Sequence, residues 1–291
     1  MLNLSEPAKA DSAPAHPTPS ARAGVRLSIA IEGRRGSLGD TAIRRWVRSM
    51  VNMATDYCGR FPVRELRVDV RLRSGNRVVF GQHFSGRRVV VHVGRDASYA
   101  TLEDDHVLLH ELLHTAMPML DRRHRWFREG LSTYLETMVR AQHGIRNERQ
   151  VWERWTNSMP MGLPGPHDRG LDRTRSWARV YWGGALFWLT VDLRLREATQ
   201  GRQSVRSLVR GVVARGGVAT RRWSMRRLLR VARAATGTNV LAQAYRRYAL
   251  RATPDNLDRV FRRLGVSRRG DTVHLSDRAP LARMRRAMMV Y

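Results

Sequence analysis

His110, Glu111 and His114 stand in the order H-E-x-x-H, and Glu129 follows inside Trp126-Phe127-Arg128-Glu129-Gly130. On a helix, positions i and i+4 share a face, so His110 and His114 can both aim an imidazole nitrogen at one metal ion. Glu111 sits beside that pair and can reach a water on the metal. Two imidazoles, a carboxylate from a second helix and one open water position make a catalytic zinc site. With 10 His in the chain, composition alone gives roughly 0.01 such motifs by chance.

Elements must hold these groups in place. Thr101 to Asp104 resembles a capping box, and Glu103, Asp104 and Asp105 crowd a helix start, where acids favour the dipole. Val107, Leu108, Leu109, Leu112 and Leu113 supply an apolar body, and Pro118 marks the end. A second amphipathic helix carries Phe127, Leu131, Tyr134, Leu135 and Met138, with Glu129 at its opening. Gly130 would let its backbone approach the metal helix. For the third ligand, Glu129 is preferred over His106, which a straight helix cannot easily wrap around the same ion, and over His124, which reads as a loop residue. His106 is read as a capping residue or a support behind the ligands. Glu136 either hydrogen-bonds a ligating histidine from outside or is a solvated helix residue.

HELLH followed by RWFREGLSTYLE resembles the gluzincin metallopeptidases, and most closely their glycyl-aminopeptidase-like branch, here without a PDZ domain. A second stretch, Val180 to Leu186 (VYWGGAL), resembles the family's Tyr-x-Lys-Gly-Ala segment, with an Asp-x-x-x-Arg run in the helix that follows. The resemblance implies an α+β fold with a thermolysin-like catalytic domain. A small N-terminal β-sheet and active-site helix would precede a mostly α-helical C-terminal part. It also implies one Zn2+ per chain on His110, His114 and Glu129, hydrolysis of peptide bonds with Glu111 as general base, and Tyr181 as the phenol that bonds the oxyanion. Gly183 departs from the pattern, standing where the family has Lys. No Gly-Gly-Leu-Glu-His or Gly-x-Met-Glu-Asn segment precedes the zinc helix, so the family's usual grip on a substrate amine is missing.

Around this centre, residues 1–24 read as an Ala/Pro/Ser-rich disordered tail. Residues 25–291 then form one metallopeptidase domain: sheet-rich over 25–100, zinc-binding helices over 101–140, helical over 141–291. Apolar spacing predicts a helix over 40–57 and strands over 27–32, 63–72, 78–80 and 89–93. Residues 88–94 are expected to form the sheet edge along which a peptide pairs. A Pro/Gly-rich loop over 158–175 carries His167 and Asp168, both read as solvated. Helices are expected over 177–198, 203–215, 221–235, 239–251 and 254–263, the last capped by Thr253 with Pro254 in its first turn. The lone Cys58 reads as a buried apolar residue; with no signal-like or membrane-spanning apolar run, the expected location is cytoplasmic.

Charge is the second unusual property. Of 53 basic residues only Lys9 is lysine, and the net charge is +28. Between residues 198 and 254 there are thirteen arginines and no acid. Such a field attracts polyanions, although a coding bias towards arginine accounts for the near absence of lysine. Two function classes follow. One is a zinc metallopeptidase acting on a peptide or protein. The other is an arginine-rich protein associated with nucleic acid or an acidic partner, either a protease of DNA-bound proteins or a zinc-binding pseudo-enzyme.

Overall fold

Alternating apolar and charged residues in the first third of the chain build a five-stranded sheet. The computed structural model describes residues 18–20, 24–253 and 256–290. Strands β1 (Thr18–Ser20) and β2 (Val25–Glu32) precede the long helix α1 (Asp40–Cys58), and β3 (Glu65–Arg73), β4 (Val78–Phe84) and β5 (Arg88–Gly94) follow it. The spatial order is β1-β2-β3-β5-β4. β2, β3 and β5 run parallel, while β1 and β4 pair antiparallel to their neighbours. Residues 18–20 of the stretch expected to be unstructured thus form a strand, and the rest of 1–23 lies outside the described residues.

This order corrects one expectation. β5 is an interior strand, paired on both sides, and the sheet edge beyond it belongs to β4. The interior position explains why Val89, Val90, Val91 and Val93 are all buried, as a strand covered on both faces requires. On the outward face Asp69 is fully buried under Arg67 and Arg88, each 2.6 Å from one of its carboxylate oxygens. The inner face receives α1, whose Ile43, Trp46, Val47, Met50 and Ala54 are buried at helical spacing. Gly59, at φ 80°, ends α1 in the left-handed conformation. Cys58 is buried beside it, and burial pushes its thiol up to about 12, so it is a packed residue as expected.

Next come the short helices α2 (Tyr99–Glu103) and α3 (Val107–Leu113), then α4 (Arg125–Gln142) and α5 (Glu148–Ser158). The remainder is mainly helical: α6 (Gly184–Ala198), α7 (Val205–Ala214), α8 (Met225–Thr236), α9 (Val240–Leu250) and α10 (Leu257–Leu264). A hairpin of β6 (Val266–Arg269) and β7 (Thr272–Leu275), which apolar spacing did not reveal, precedes α11 (Ala282–Met288). α10 begins later than expected: Asn256 caps it by accepting from the Arg259 amide, while the Thr253 hydroxyl donates to the Arg247 carbonyl. Pro254 lies outside the described residues.

The two halves share one apolar core, in which α4 lies between α3 and α6. Asp192 pins this arrangement. Its carboxylate accepts from the Tyr134 hydroxyl of α4 (3.0 Å), from Arg196 one turn along α6 (2.9 Å) and from the Val205 amide of α7. The Asp-x-x-x-Arg run therefore joins three helices. Among the described residues no helix is long and apolar enough to cross a membrane.

Candidate metal centre

The metal helix is shorter than the sequence suggests. Ser98, rather than Thr101, caps α2, accepting from the Thr101 amide. The chain then breaks at Asp104 and Asp105, and the Asp105 carboxylate accepts from the Leu108 amide to cap α3. Burial raises the Asp105 pKa to about 6. His106 makes no capping bond. Leu108, Leu109, Leu112 and Leu113 are sunk in the core and fix the rotation of α3, which turns His110 and His114 towards α4. The edge strand β4 presses on the same helix at Gly81, where a Cβ would lie 2.5 Å from Val107 and 2.8 Å from the Glu111 side chain. A glycine is required there for the sheet edge to border the site.

Three side chains converge. His110 Nε2 lies 3.3 Å and His114 Nε2 3.2 Å from the same oxygen, Glu129 Oε2. A tetrahedral zinc with bonds of about 2.05 Å sets its ligand atoms about 3.3 Å apart, so the donor set and its spacing fit that ion. Glu111 joins the cluster, with ligand atoms of His110, Glu111 and His114 all within 4.8 Å of one another. Burial would push Glu129 up, yet its bonds to both imidazoles hold it well below the usual carboxylate range. Burial would push His110 down, but the bond to Glu129 and the neighbouring carboxylates outweigh it and raise its pKa. His114 is lowered, by burial first. On its far side His114 Nδ1 lies 3.1 Å from Ser132 Oγ. Sequence reading missed Ser132, although it stands one turn beyond Glu129 on the same face of α4.

Tyr181 reaches the cluster from a different direction. Residues Arg179–Gly183 form a π-helical turn at the start of α6, a local widening that recurs at functional sites. Gly130 of α4 packs directly on Gly184: a Cβ on Gly130 would come within 2.3 Å of the Gly184 backbone. Gly130 thus serves contact with α6, not with the metal helix. That contact brings the Tyr181 ring over His110, with centroids 5.9 Å apart and planes 24° from parallel. Arg125 donates to the phenol oxygen (3.4 Å), and Trp177 stacks on the same ring at 5.0 Å. Burial raises the phenol pKa, with Glu129 adding to the effect, so the group stays protonated and able to donate at neutral pH. Gly183 also has a local cause. A Cβ there would lie 2.8 Å from the Arg179 guanidinium and 2.9 Å from the Gly162 carbonyl, so the Lys of the family pattern has no room.

Other candidates are placed differently from expectation. Glu136 is fully buried, neither solvated nor bonded to a ligating histidine: Arg154 donates to its Oε1 at 2.9 Å, Thr137 at 3.0 Å, and Arg140 lies 3.8 Å from Oε2. His124 is no loop residue in solvent. It is buried against Asp172 at 2.9 Å, and Asp172 also accepts from Trp126 Nε1 and the Tyr245 hydroxyl. This cluster fixes the start of α4 just before Glu129. Asp168 is ion-paired with Arg179 at 2.8 Å and ties the Pro/Gly-rich loop to the π-turn, while His167 is exposed.

Two cavities border the convergence. One, of about 170 Å3, is lined by His106, Val107, Trp177, Tyr181 and Trp182. The other, of about 390 Å3, is lined by Phe80, Gln82, His83, Arg125 and Arg128. Glu111 lines both. His83 lies with its ring 5.9 Å from that of His114, and burial lowers its pKa to about 3, so it is neutral.

Solved structures share this architecture. An aminopeptidase N family protein from Idiomarina loihiensis superposes with a TM-score of 0.62 at 15% identity, over 84% of this chain and 48% of its own. A two-domain M1 zinc metallopeptidase with bound L-arginine gives 0.55 at 18%, over 82% and 52%. An M1 zinc metallopeptidase from Deinococcus radiodurans gives 0.53 at 16%, over 79% and 49%. The chain spans about half the length of these proteins. No protein-family profile and no curated protein matches it. At these identities the likeness is one of fold: the chain shares the architecture of the matched half of these proteins.

Proposed function

We propose that this chain is a zinc-dependent peptidase, with His110, His114 and Glu129 as metal ligands, Glu111 as general base and Tyr181 as oxyanion donor. The observation that carries the reading is the meeting of two imidazole nitrogens on one carboxylate oxygen at 3.2 and 3.3 Å, next to a free glutamate and a protonated phenol. When bound, zinc would lower the pKa of a coordinated water and polarise the scissile carbonyl. Glu111 would take a proton from the attacking water and pass it to the leaving amine. Tyr181, held by Arg125 and Trp177, donates to the oxygen that gains charge. The closer likeness to the thermolysin-like and glycyl-aminopeptidase-like branches rests on the motifs around Glu129 and Tyr181 and belongs to this proposal.

Metal analysis of untagged protein should give about one zinc per chain. Glu111→Gln should keep that zinc and slow peptide cleavage by about a thousandfold; undiminished turnover would remove Glu111 from its role.

Two groups stand out among the thirteen arginines of 198–254. Arg206 and Arg210 are spent on the carbonyls of Asp56 and Tyr57 at the end of α1. Arg226, Arg227, Arg230 and Arg233 of α8 are exposed, and we propose them as a docking face for an acidic partner. Retention on heparin at physiological salt, lost when these four become Ala while peptide cleavage is unchanged, is the expected result; equal retention would sink it.

A further inference from the structure

The two sides of the cleft differ in charge, and the difference points to a class of substrate. Beside Val107 the wall is mainly aromatic: Trp177, Tyr181 and Trp182 border the smaller cavity, Trp177 is 62% exposed, and the one arginine there, Arg154, is paired with Glu136 at 2.9 Å. Beside His114 the wall carries Arg125 and Arg128. Arg125 is shared with a third cavity of about 630 Å3 whose lining includes Arg122, Arg123 and Arg175. A run of guanidinium groups therefore leads away from the candidate metal centre on this side, whereas Arg154 on the other is neutralised by Glu136.

Arg128 is the central member of that run. It is half-buried, its Nε is shielded from solvent without a hydrogen-bond partner, and no ion pair reaches it among the described residues. Leaving that shielded Nε–H unpaired is costly, whereas a carboxylate supplied by a ligand would pair with the guanidinium through charge-assisted bonds. Its neighbour Arg125 touches Glu129 at 3.5 Å, so it is partly neutralised. With a divalent cation offset by Glu129 and Glu111, the two arginines leave this side of the cleft cationic.

The sheet edge sets the direction of an extended peptide. β4 offers its free edge to the cleft, with Gly81 against Val107 and Glu111, and with His83 near His114. A peptide pairing antiparallel to β4 runs from the His83 end towards the Val78 end. Its N-terminal half then lies along Arg128 and Arg125, and its C-terminal half enters the aromatic cavity. A free N-terminal ammonium would meet two guanidinium groups at the place where acidic residues are welcomed.

Resting on the peptidase reading of the same site, we propose that this chain selects peptides bearing acidic residues N-terminal to the cleaved bond and an apolar residue after it, and that it cuts inside chains rather than at a free N-terminus. Arg128 holds the acidic side chain nearest the metal, and Arg125 with the outer arginines holds those further upstream.

The test uses zinc-loaded Glu111→Gln protein and acetylated, fluorescently labelled peptides that share one centre and carry Glu, Ala or Lys upstream of it. The Glu peptide should bind at least about tenfold more tightly than the Ala peptide, with Lys weakest. Arg128→Gln should erase most of the Glu advantage. Arg125→Glu should shift preference towards Lys, an inversion that a merely unfolded variant could not produce. Equal affinities for Glu and Lys peptides would overturn the inference. The unaltered chain is assayed for cleavage of the same peptides to separate the two readings. Glu-selective binding with no cleavage counts against the peptidase reading and leaves this one standing; equal cleavage of all three does the reverse.

Discussion

Glu129 and Glu136 stand two turns apart on α4, both withdrawn from solvent, yet they are built for different ends. Glu129 faces two imidazoles, each about equally close to one of its oxygens. Glu136 faces two arginines, Arg154 and Arg140. Imidazoles are neutral donors that gain most from a cation between them and the carboxylate. Guanidinium groups are permanent cations that already neutralise their partner. The same residue on the same helix is therefore suited to be the metal ligand proposed above in one place and to form an ion pair in the other, and the choice is made by what the neighbouring helices bring.

The largest expected effects come from exchanging these roles. Glu129→Gln removes the only charged member of the proposed ligand set and should weaken zinc binding on the order of a hundredfold or more, as read by competition with a chelator. Glu136→Gln should do the opposite: it leaves the buried Arg140 and the half-buried Arg154 facing a neutral amide and should cost about 3 kcal/mol in denaturant unfolding, with zinc stoichiometry retained. If Glu136→Gln lost zinc and kept its stability, the distinction between the two glutamates would fail. Acidity gives a further contrast. Burial tends to raise Glu136, but Arg154, His106 and Arg140 prevail and lower it below the ordinary 4.5. A lowered carboxylate contributes stability above its unfolded pKa and loses it as pH falls through the folded value. The difference in stability between the native chain and Glu136→Gln should therefore be full near neutrality and shrink progressively below about pH 4.5.

What the sequence made legible, and what it hid, follows the same division. The pairing of His110 with His114 is a matter of helical period, and the helices expected over 203–215, 221–235 and 239–251 match Val205–Ala214, Met225–Thr236 and Val240–Leu250 closely. Each of these rests on neighbours a few residues apart. Glu136 was ambiguous because its partner Arg154 comes from α5. His124 was misread because Asp172, which buries it, lies beyond a whole helix and loop. The sheet edge was assigned to the wrong strand for a related reason: alternation reveals that β4 and β5 are strands, but only the parallel pairing of β5 with β3 decides which of them is left outside. Arg128 carried no local signal at all, since an arginine beside a ligand reads as a solvated helix residue until the cavity next to it is seen.

The smallest expected effect concerns Ser132, which tests how far preparation of the metal site extends beyond its ligands. Its hydroxyl oxygen lies 3.1 Å from His114 Nδ1, the nitrogen that faces away from Glu129. If His114 is to present Nε2 as a lone pair, the proton must reside on Nδ1, and Ser132 must accept it. Ser132→Ala removes that acceptor without changing charge, and the site is buried, so no bulk water replaces it. The ring loses its reason to hold one tautomer and one orientation, and zinc affinity should fall by about tenfold. Glu136→Gln, with its larger cost in stability, should leave that affinity nearly untouched. A Ser132→Ala variant that binds zinc as tightly as the native chain would mean that packing alone orients His114, and that the prepared part of the site ends at the three ligands.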